Sequence, residues 1–181
     1  NAGDQLSVYA DNSNNLVLSA SKKKSKEKKV STLIIDQANS KGQIERKIIA
    51  TYISGYNEIN IRSKQERITP QQRAAIKKLV RNKLVGSEII EDSNLIISIQ
   101  VILNPEEFNI QNTLRRMLVI TQGMHGDMMY AVKKHDFEMA NEIIRTDDDV
   151  DRFSLYSVRQ LRFALENENS LLALGVSNKI Y

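Results

Sequence analysis

A change in the spacing of apolar residues near Asn109 constrains the fold of this chain more than any other feature. From there onward apolar side chains recur every three or four residues, which predicts α-helix. The pattern is interrupted at residues 133–136, so we predict two long helices, joined by a short loop, that pack antiparallel. The first predicted apolar stripe contains Ile110, Leu114, Met117, Leu118, Thr121, His125, Met128 and Val132, and the second contains Phe137, Ala140, Ile144, Asp147, Asp151, Val158, Leu161 and Leu165.

Two helices leave an apolar side open, so we expect a third helix to complete a bundle. The chain, which ends at Tyr181, supplies only its beginning. Asn1 and Ala2 resemble the remnant of a cleaved tag, and we expect the chain to be a piece of a longer protein. Residues 104–181 are therefore interpreted as a partial helical domain.

Residues 30–103 have the pattern of a small β-α-β-α-β-β domain, which makes the whole chain α+β. Strands that flank a helix should be parallel, and strands joined by a short turn should be antiparallel. The clearest local signal is at Thr69-Pro70, where an N-cap, a proline at the first helical position and Gln72 predict the start of a helix. The predicted elements are strands at residues 30–35, 56–62, 87–91 and 95–102 and helices at residues 43–54 and from residue 69.

Residues 1–29 are predicted to form a small hairpin followed by a basic linker. Alternating stretches at residues 5–9 and 15–18 flank a polar cluster, which is typical of two strands joined by a turn. The basic run holds six lysines against Glu27, so the rest of the chain carries a net charge of −1. We interpret the run first as a solvated linker and second as a contact for the phosphate backbone of DNA. Its lysines are Lys22, Lys23, Lys24, Lys26, Lys28 and Lys29.

The composition narrows the functional classes. The chain of 181 residues has no cysteine, which excludes disulfides and thiol chemistry, and no apolar run long enough to insert into a membrane. Glycine-rich phosphate loops, the nucleophile elbow and the zinc-protease motif are absent from the sequence. We therefore expect a cytoplasmic protein that acts by binding and is not an enzyme.

Asp147 and Asp151 are the candidate metal ligands. On a continuous helix they lie one turn apart, on the predicted apolar stripe, so both carboxylates should point toward the bundle interior. Two inward carboxylates repel each other unless a cation lies between them, and oxygen ligands favour hard metal ions.

Two structural alternatives remain open for these aspartates. The helix could break after Arg145 and restart with Thr146 as its N-cap, which would place the aspartates in a first turn. Alternatively, Asp151 could pair with an arginine, for which the candidates are Arg152, Arg159, Arg115 and Arg116. An EF-hand is excluded because Arg152 occupies the position that requires glycine.

The two histidines have weaker functional signals. His125 lies on the predicted core stripe, where a packed histidine is the more common outcome, and His135 lies at a helix end. We expect the methionines at positions 117, 124, 128 and 129 to fill the core.

The helical segment resembles the first helical hairpin of the PhoU family in its archaeal form. The resemblance covers residues 104–181 and is carried by Leu114-Arg-Arg-Met117 and by the run from Arg145 through Asp151 to Leu161. It implies a three-helix bundle in which acidic pairs with the spacing of Asp147 and Asp151 bind iron or zinc. The second acidic motif would lie beyond Tyr181, so the implied metal site is incomplete in this fragment.

The front of the chain is similar to the tail of an AbrB/SpoVT-type domain, through residues 3–8 and 15–18. Together the two resemblances imply a regulator of phosphate uptake. Its bundle would contact a phosphate transporter or a signalling protein, and DNA would be bound through a missing N-terminal part. We also expect a homodimer. The alternatives are a metal-binding helical bundle protein and an AbrB-type DNA-binding regulator in which the helices only dimerise.

Overall fold

The structure is a computed structural model, and it describes residues 6–10, 16–20, 28–64, 67–103 and 110–165. It is α+β, with a four-stranded mixed sheet and a long helical hairpin. In chain order the elements are β1 (Leu6–Ala10), β2 (Leu16–Ala20), β3 (Val30–Ile35), α1 (Lys41–Ile53), β4 (Glu58–Ser63), α2 (Pro70–Lys83), β5 (Ser87–Asp92), β6 (Ile96–Val101), α3 (Ile110–Lys134) and α4 (Phe137–Leu165).

The predicted order of elements is confirmed through the sheet. The strand order is β3-β4-β6-β5, with β3 and β4 parallel and the other two pairs antiparallel. β1 and β2 pair antiparallel in a separate two-stranded ribbon, as the alternating pattern predicted. The predicted turn between them lies outside the described residues.

Both helices of the α/β unit, defined here as residues 30–103, begin with the same capping box. Thr69 accepts a hydrogen bond from the backbone of Gln72, whose side chain accepts one from Thr69 in return. Ser40 and Gln43 repeat this arrangement at α1, so that helix begins two residues earlier than predicted. Each box satisfies backbone donors that the first turn of a helix cannot pair internally.

The core of the α/β unit lies between the sheet and the helices α1 and α2. It is built from β-branched and aromatic side chains, because these residues suit a pleated, half-buried surface. Ala50 of α1 is exposed and does not belong to this core. The fully buried members include Ile44, Ile48, Tyr52, Ile59, Ile61, Ile76, Ile97 and Ile99.

The hairpin α3–α4 is confirmed as antiparallel neighbours joined by a tight turn. His135, which has a φ of 53°, and Asp136 connect the helices, and the Asp136 side chain caps α4 by accepting from the Met139 backbone. The second half of α4 packs on α1 and α2, and Tyr156 joins the core of the α/β unit. The hairpin is therefore fixed to the unit by one helix.

Candidate functional site

The surface of the hairpin holds the predicted metal ligands, but their predicted orientation was wrong. Asp147 and Asp151 are both exposed and take no part in the contact between α3 and α4. Helix α4 runs unbroken from Phe137 to Leu165, so the alternative of a helix restart at Thr146 is also wrong.

Asp151 is paired with Lys83, which is not one of the arginines predicted as its partner. Lys83, at the end of α2, places its Nζ 3.3 Å from Asp151 Oδ2 and 3.7 Å from Asp148 Oδ1. The prediction that Asp151 pairs with a basic side chain is thus confirmed, but the partner is a lysine of the α/β unit and not one of the predicted arginines. No sequence pattern could indicate this partner, because Lys83 is 68 residues away.

The helices α3 and α4 contact each other through a face next to the predicted stripes. On α4 the contact face repeats every three or four residues, through residues such as Ile143, Val150, Ser157 and Gln160. Thr113 of α3 donates a hydrogen bond of 3.1 Å to Gln160 Oε1 within this seam. A seam with this repeat is typical of helices that cross at a small angle.

Most residues of the predicted stripes instead form an apolar surface that no described residue covers, which we call the open face. Two members of the first stripe do not belong to it, because Ile110 is buried and Met117 contacts Ser157 between the helices. Leu118 is 64% exposed and Ile144 is 70% exposed. Because successive residues of a helix are rotated by about 100°, each stripe lies roughly a quarter turn around its helix from the contact face. The rotation has the same sense in both helices, and since the helices are antiparallel, the two stripes lie on the same side of the hairpin. The open face consists of Leu114, Leu118, Thr121, His125, Met128, Val132, Phe137, Ile144, Asp147, Val158, Leu161 and Leu165.

This placement corrects the expectations for His125 and the methionines. His125 is exposed on the open face and is not a core histidine. Met117 and Met124 are partly buried, whereas Met128 and Met129 are each 50% exposed, so only the first two fill the core. His135 lies at the helix end, as predicted.

The two carboxylates do not by themselves make a metal site. Within the described ranges, no group of three or more His, Asp or Glu side chains is close enough to share a metal ion. Asp151 is already partnered by Lys83, while Asp147 lies on the open face with no ion pair to any described residue. Further ligands would have to come from outside this set.

The basic run is described only at its end. Lys28 and Lys29 are exposed, while Lys22, Lys23, Lys24 and Lys26 lie outside the described residues. Their interpretation as a DNA contact stays a prediction.

A buried arginine forms the main link between α4 and the α/β unit. Arg159 is 1% exposed, donates through Nη1 to the carbonyl oxygen of Tyr52, and stacks its guanidinium 4.9 Å from the centre of the Tyr52 ring. Burial lowers the pKa of Arg159, and burial raises the pKa of the Tyr52 hydroxyl, which donates to the Val85 carbonyl. From the sequence, Arg159 was only one of four candidate partners of Asp151, and it pairs instead with the backbone and ring of Tyr52.

Residues 114–178 match the family model described as the PhoU domain. This match supports membership of the PhoU family. Its described part, residues 114–165, falls on the hairpin and includes the open face from Leu114 onward, and residues 166–178 lie outside the described residues. The comparisons with curated proteins and with solved structures gave no match.

No helix of the described segments is long and apolar enough to cross a membrane.

Proposed function

We propose that this chain regulates phosphate uptake by binding a phosphate-transport protein or its signalling partner through the open face, in the cytoplasm and without catalysing a reaction. The match of residues 114–178 to the PhoU domain carries the proposal. The open face supplies the surface, because contiguous exposed apolar patches mark sites of protein interaction.

The arrangement of the two regions supports this assignment of surfaces. The α/β unit contacts α4 through residues such as Tyr156 and Arg159, which are not part of the open face. A partner on the open face would therefore not compete with the α/β unit for α4. A second copy of the chain is the other occupant that we consider, which would make the predicted homodimer.

The test compares two neighbouring residues on α3. Leu118 and Val119 are 64% and 60% exposed, but only Leu118 lies on the open face. In host cells that lack the gene, the unaltered chain and Val119→Glu should both restore phosphate-dependent control of labelled phosphate uptake, whereas Leu118→Glu should fail. A buried charge in an apolar contact is costly unless it is paired.

The same variants separate the two occupants. Sedimentation equilibrium of the purified chain should show self-association that Leu118→Glu abolishes if the open face joins two copies. Uptake that is unchanged by deletion of the gene, at both high and low phosphate, would contradict the proposed function. Equal activity of Leu118→Glu and Val119→Glu would contradict the use of the open face.

We propose, as a second property, that Asp147 and Asp151 contribute to an iron or zinc site that carboxylates from another segment complete. The support is their spacing of one helical turn and the position of Asp147 on the open face. In a chain extended beyond Tyr181, zinc titration followed by calorimetry should show binding that Asp147→Asn plus Asp151→Asn removes. The double variant Asp148→Asn plus Asp149→Asn is the matched control, and equal loss in both would contradict the assignment.

Transcriptional control through an AbrB-like front domain is the finer form of the proposal. Its support is limited to the hairpin β1–β2 and to the lysine run described above. The alternative, an AbrB-type DNA-binding regulator in which the helices only dimerise, predicts that this chain binds duplex DNA, that the binding weakens steeply with salt, and that it disappears when residues 22–29 are neutralised. DNA binding without salt dependence would contradict it.

A further inference from the structure

A cavity of about 330 Å³ lies where the hairpin meets the α/β unit. It shares no lining residue with the open face, and its walls come from four parts of the chain: the turn after α2, the residues that follow β6, the first half of α3 and the middle of α4. We call it the junction pocket. Its lining consists of Val85, Leu103, Asn112, Thr113, Arg116, Ile120, Asp149, Arg152, Phe153 and Tyr156.

The wall from the α/β unit depends on Gly86. This residue has a φ of +68°, and a Cβ atom there would clash with the side chain of Leu103. Its carbonyl also accepts a 2.7 Å hydrogen bond from the backbone of Ile102. Only glycine permits this close approach, which places Val85 and Leu103 side by side in the wall of the pocket.

Two guanidinium groups are held around one aromatic ring in this pocket. The Cζ of Arg116, from α3, is 4.8 Å from the centre of the Phe153 ring, and the Cζ of Arg152 is 5.8 Å from it. Stacking on an aromatic face orients an arginine without satisfying its N–H donors. The ring therefore positions both cations and leaves their hydrogen-bonding capacity available.

The positive charge of the pocket is not balanced by the described residues. Arg116 has no carboxylate partner among them, and Arg152 has only Asp149, at 3.6 Å, whose side chain is 56% exposed. The Nε atom of Arg152 is buried and has no hydrogen-bond partner in the described part of the chain. A buried donor without an acceptor is unfavourable, so an anionic ligand would stabilise this arrangement.

The chemistry of the lining narrows the class of anion. Guanidinium groups match phosphate and carboxylate oxygens, and two of them suit a doubly charged phosphate group better than a single carboxylate. Val85, Leu103 and Ile120 add an apolar wall, and the volume lies at the small end of the range for ligand pockets. Both features fit a ligand of a few carbon atoms.

We propose that the junction pocket binds a small ligand that carries a phosphate group, with the phosphate held by Arg116 and Arg152. The ligand contacts the α/β unit and both helices of the hairpin at once. Binding therefore stabilises one placement of the hairpin on the α/β unit, which makes the ligand a regulator of that placement. The inference rests on the pocket alone and does not depend on the proposed role in phosphate uptake.

The test is titration calorimetry of the full chain with four probes: inorganic phosphate, glycerol 3-phosphate, adenosine monophosphate and citrate. We expect a phosphate-bearing probe to bind, and Arg116→Gln plus Arg152→Gln to weaken it at least tenfold. Arg115→Gln is the matched control, because Arg115 is an exposed neighbour on α3 that does not line the pocket. Circular dichroism of each variant verifies that it is folded.

The probes distinguish the sources of the phosphate group. Tighter binding of an organic phosphate than of inorganic phosphate supports a metabolite, and equal binding supports free phosphate. Absence of binding by all three phosphate probes, equal binding of citrate, or an equal loss in Arg115→Gln would overturn the proposal.

The chain's own carboxylates provide one more test. Glu106 and Glu107 lie in the sequence between Leu103 and Asn112, which both line the pocket. The variant Glu106→Gln plus Glu107→Gln should bind the probes at least as well as the unaltered chain does. Binding by this variant alone would identify those carboxylates as the partners of the arginines and would overturn the proposal. These outcomes are measured on purified protein, so they are independent of the uptake assay.

Discussion

The α/β unit and the α3–α4 hairpin are both regular, yet they bury their apolar residues very differently. In the α/β unit the sheet and two helices enclose a core whose isoleucines are almost fully buried. In the hairpin each helix carries two apolar stripes, and a pair of helices can bury only one stripe of each. The second stripes remain on the open face, so the hairpin has an apolar surface that is available to a partner.

The largest expected difference in stability is between two isoleucine substitutions, one in each region. Ile48 of α1 is 0% exposed and Ile144 of α4 is 70% exposed, and both lie inside helices. We expect Ile48→Ala to lower the free energy of unfolding by about 2–5 kcal/mol, because it deletes buried carbon atoms and leaves a cavity. Ile144→Ala should change it by less than about 0.5 kcal/mol.

Urea unfolding followed by circular dichroism, at low protein concentration, measures both values. Low concentration matters because a second copy on the open face would bury Ile144. Similar losses of unfolding free energy in the two variants would show that the open face is covered in solution. The proposed difference in burial between the two regions would then be contradicted.

A second prediction concerns the buried link between the regions. Arg159→Ala should lower the free energy of unfolding by about 2–4 kcal/mol, because it removes a desolvated contact with the Tyr52 ring and a charge-assisted hydrogen bond. Arg159→Met should lower the free energy of unfolding by less, since the methionine side chain fills much of the same volume.

Arg145→Ala is the matched control for the arginine. Its side chain is 78% exposed and, among the described residues, pairs only with Glu142 on the same helix. Arg145→Ala should therefore lower the free energy of unfolding by no more than about 0.5 kcal/mol. If Arg159→Ala lowers the free energy of unfolding no more than Arg145→Ala does, the contact between Arg159 and Tyr52 does not stabilise the fold. The hairpin would then be held on the α/β unit by apolar packing around Tyr156.

The sequence correctly predicted those parts of the fold that depend on interactions between residues close together in the chain. Thr69, Pro70 and Gln72 supply every group that the start of α2 needs, so the helix begins where those residues stand. The alternation of strands and helices similarly fixed which strands are parallel. Ser40 and Gln43 carry the same capping signal, and applying that rule to them would have placed the start of α1 correctly.

The orientation of α3 and α4 was not predictable from periodicity. Each helix has two apolar stripes about 100° apart, and the spacing of residues does not say which stripe faces the sister helix. The more apolar stripe was assigned to the seam, but that seam contains Thr113, Ser157 and Gln160, whose polar groups are hydrogen-bonded there. The partner of Asp151 and the junction pocket depend in the same way on residues that are distant in sequence.

The smallest expected effect concerns the exposed link between the regions. Lys83 contacts Asp148 and Asp151, but the three side chains are 36%, 53% and 56% exposed, so water and salt screen their attraction. We expect Lys83→Ala to lower the free energy of unfolding by less than about 1 kcal/mol, and by less still at high ionic strength. Urea unfolding at two salt concentrations measures this. Because Arg159 and Lys83 join the same two regions, a loss for Lys83→Ala as large as that for Arg159→Ala would show that burial does not decide which link holds the hairpin. We instead expect Arg159→Ala to cause the larger loss of unfolding free energy, because Arg159 is buried and Lys83 is exposed. An interaction of a charged group contributes more to stability where water is excluded.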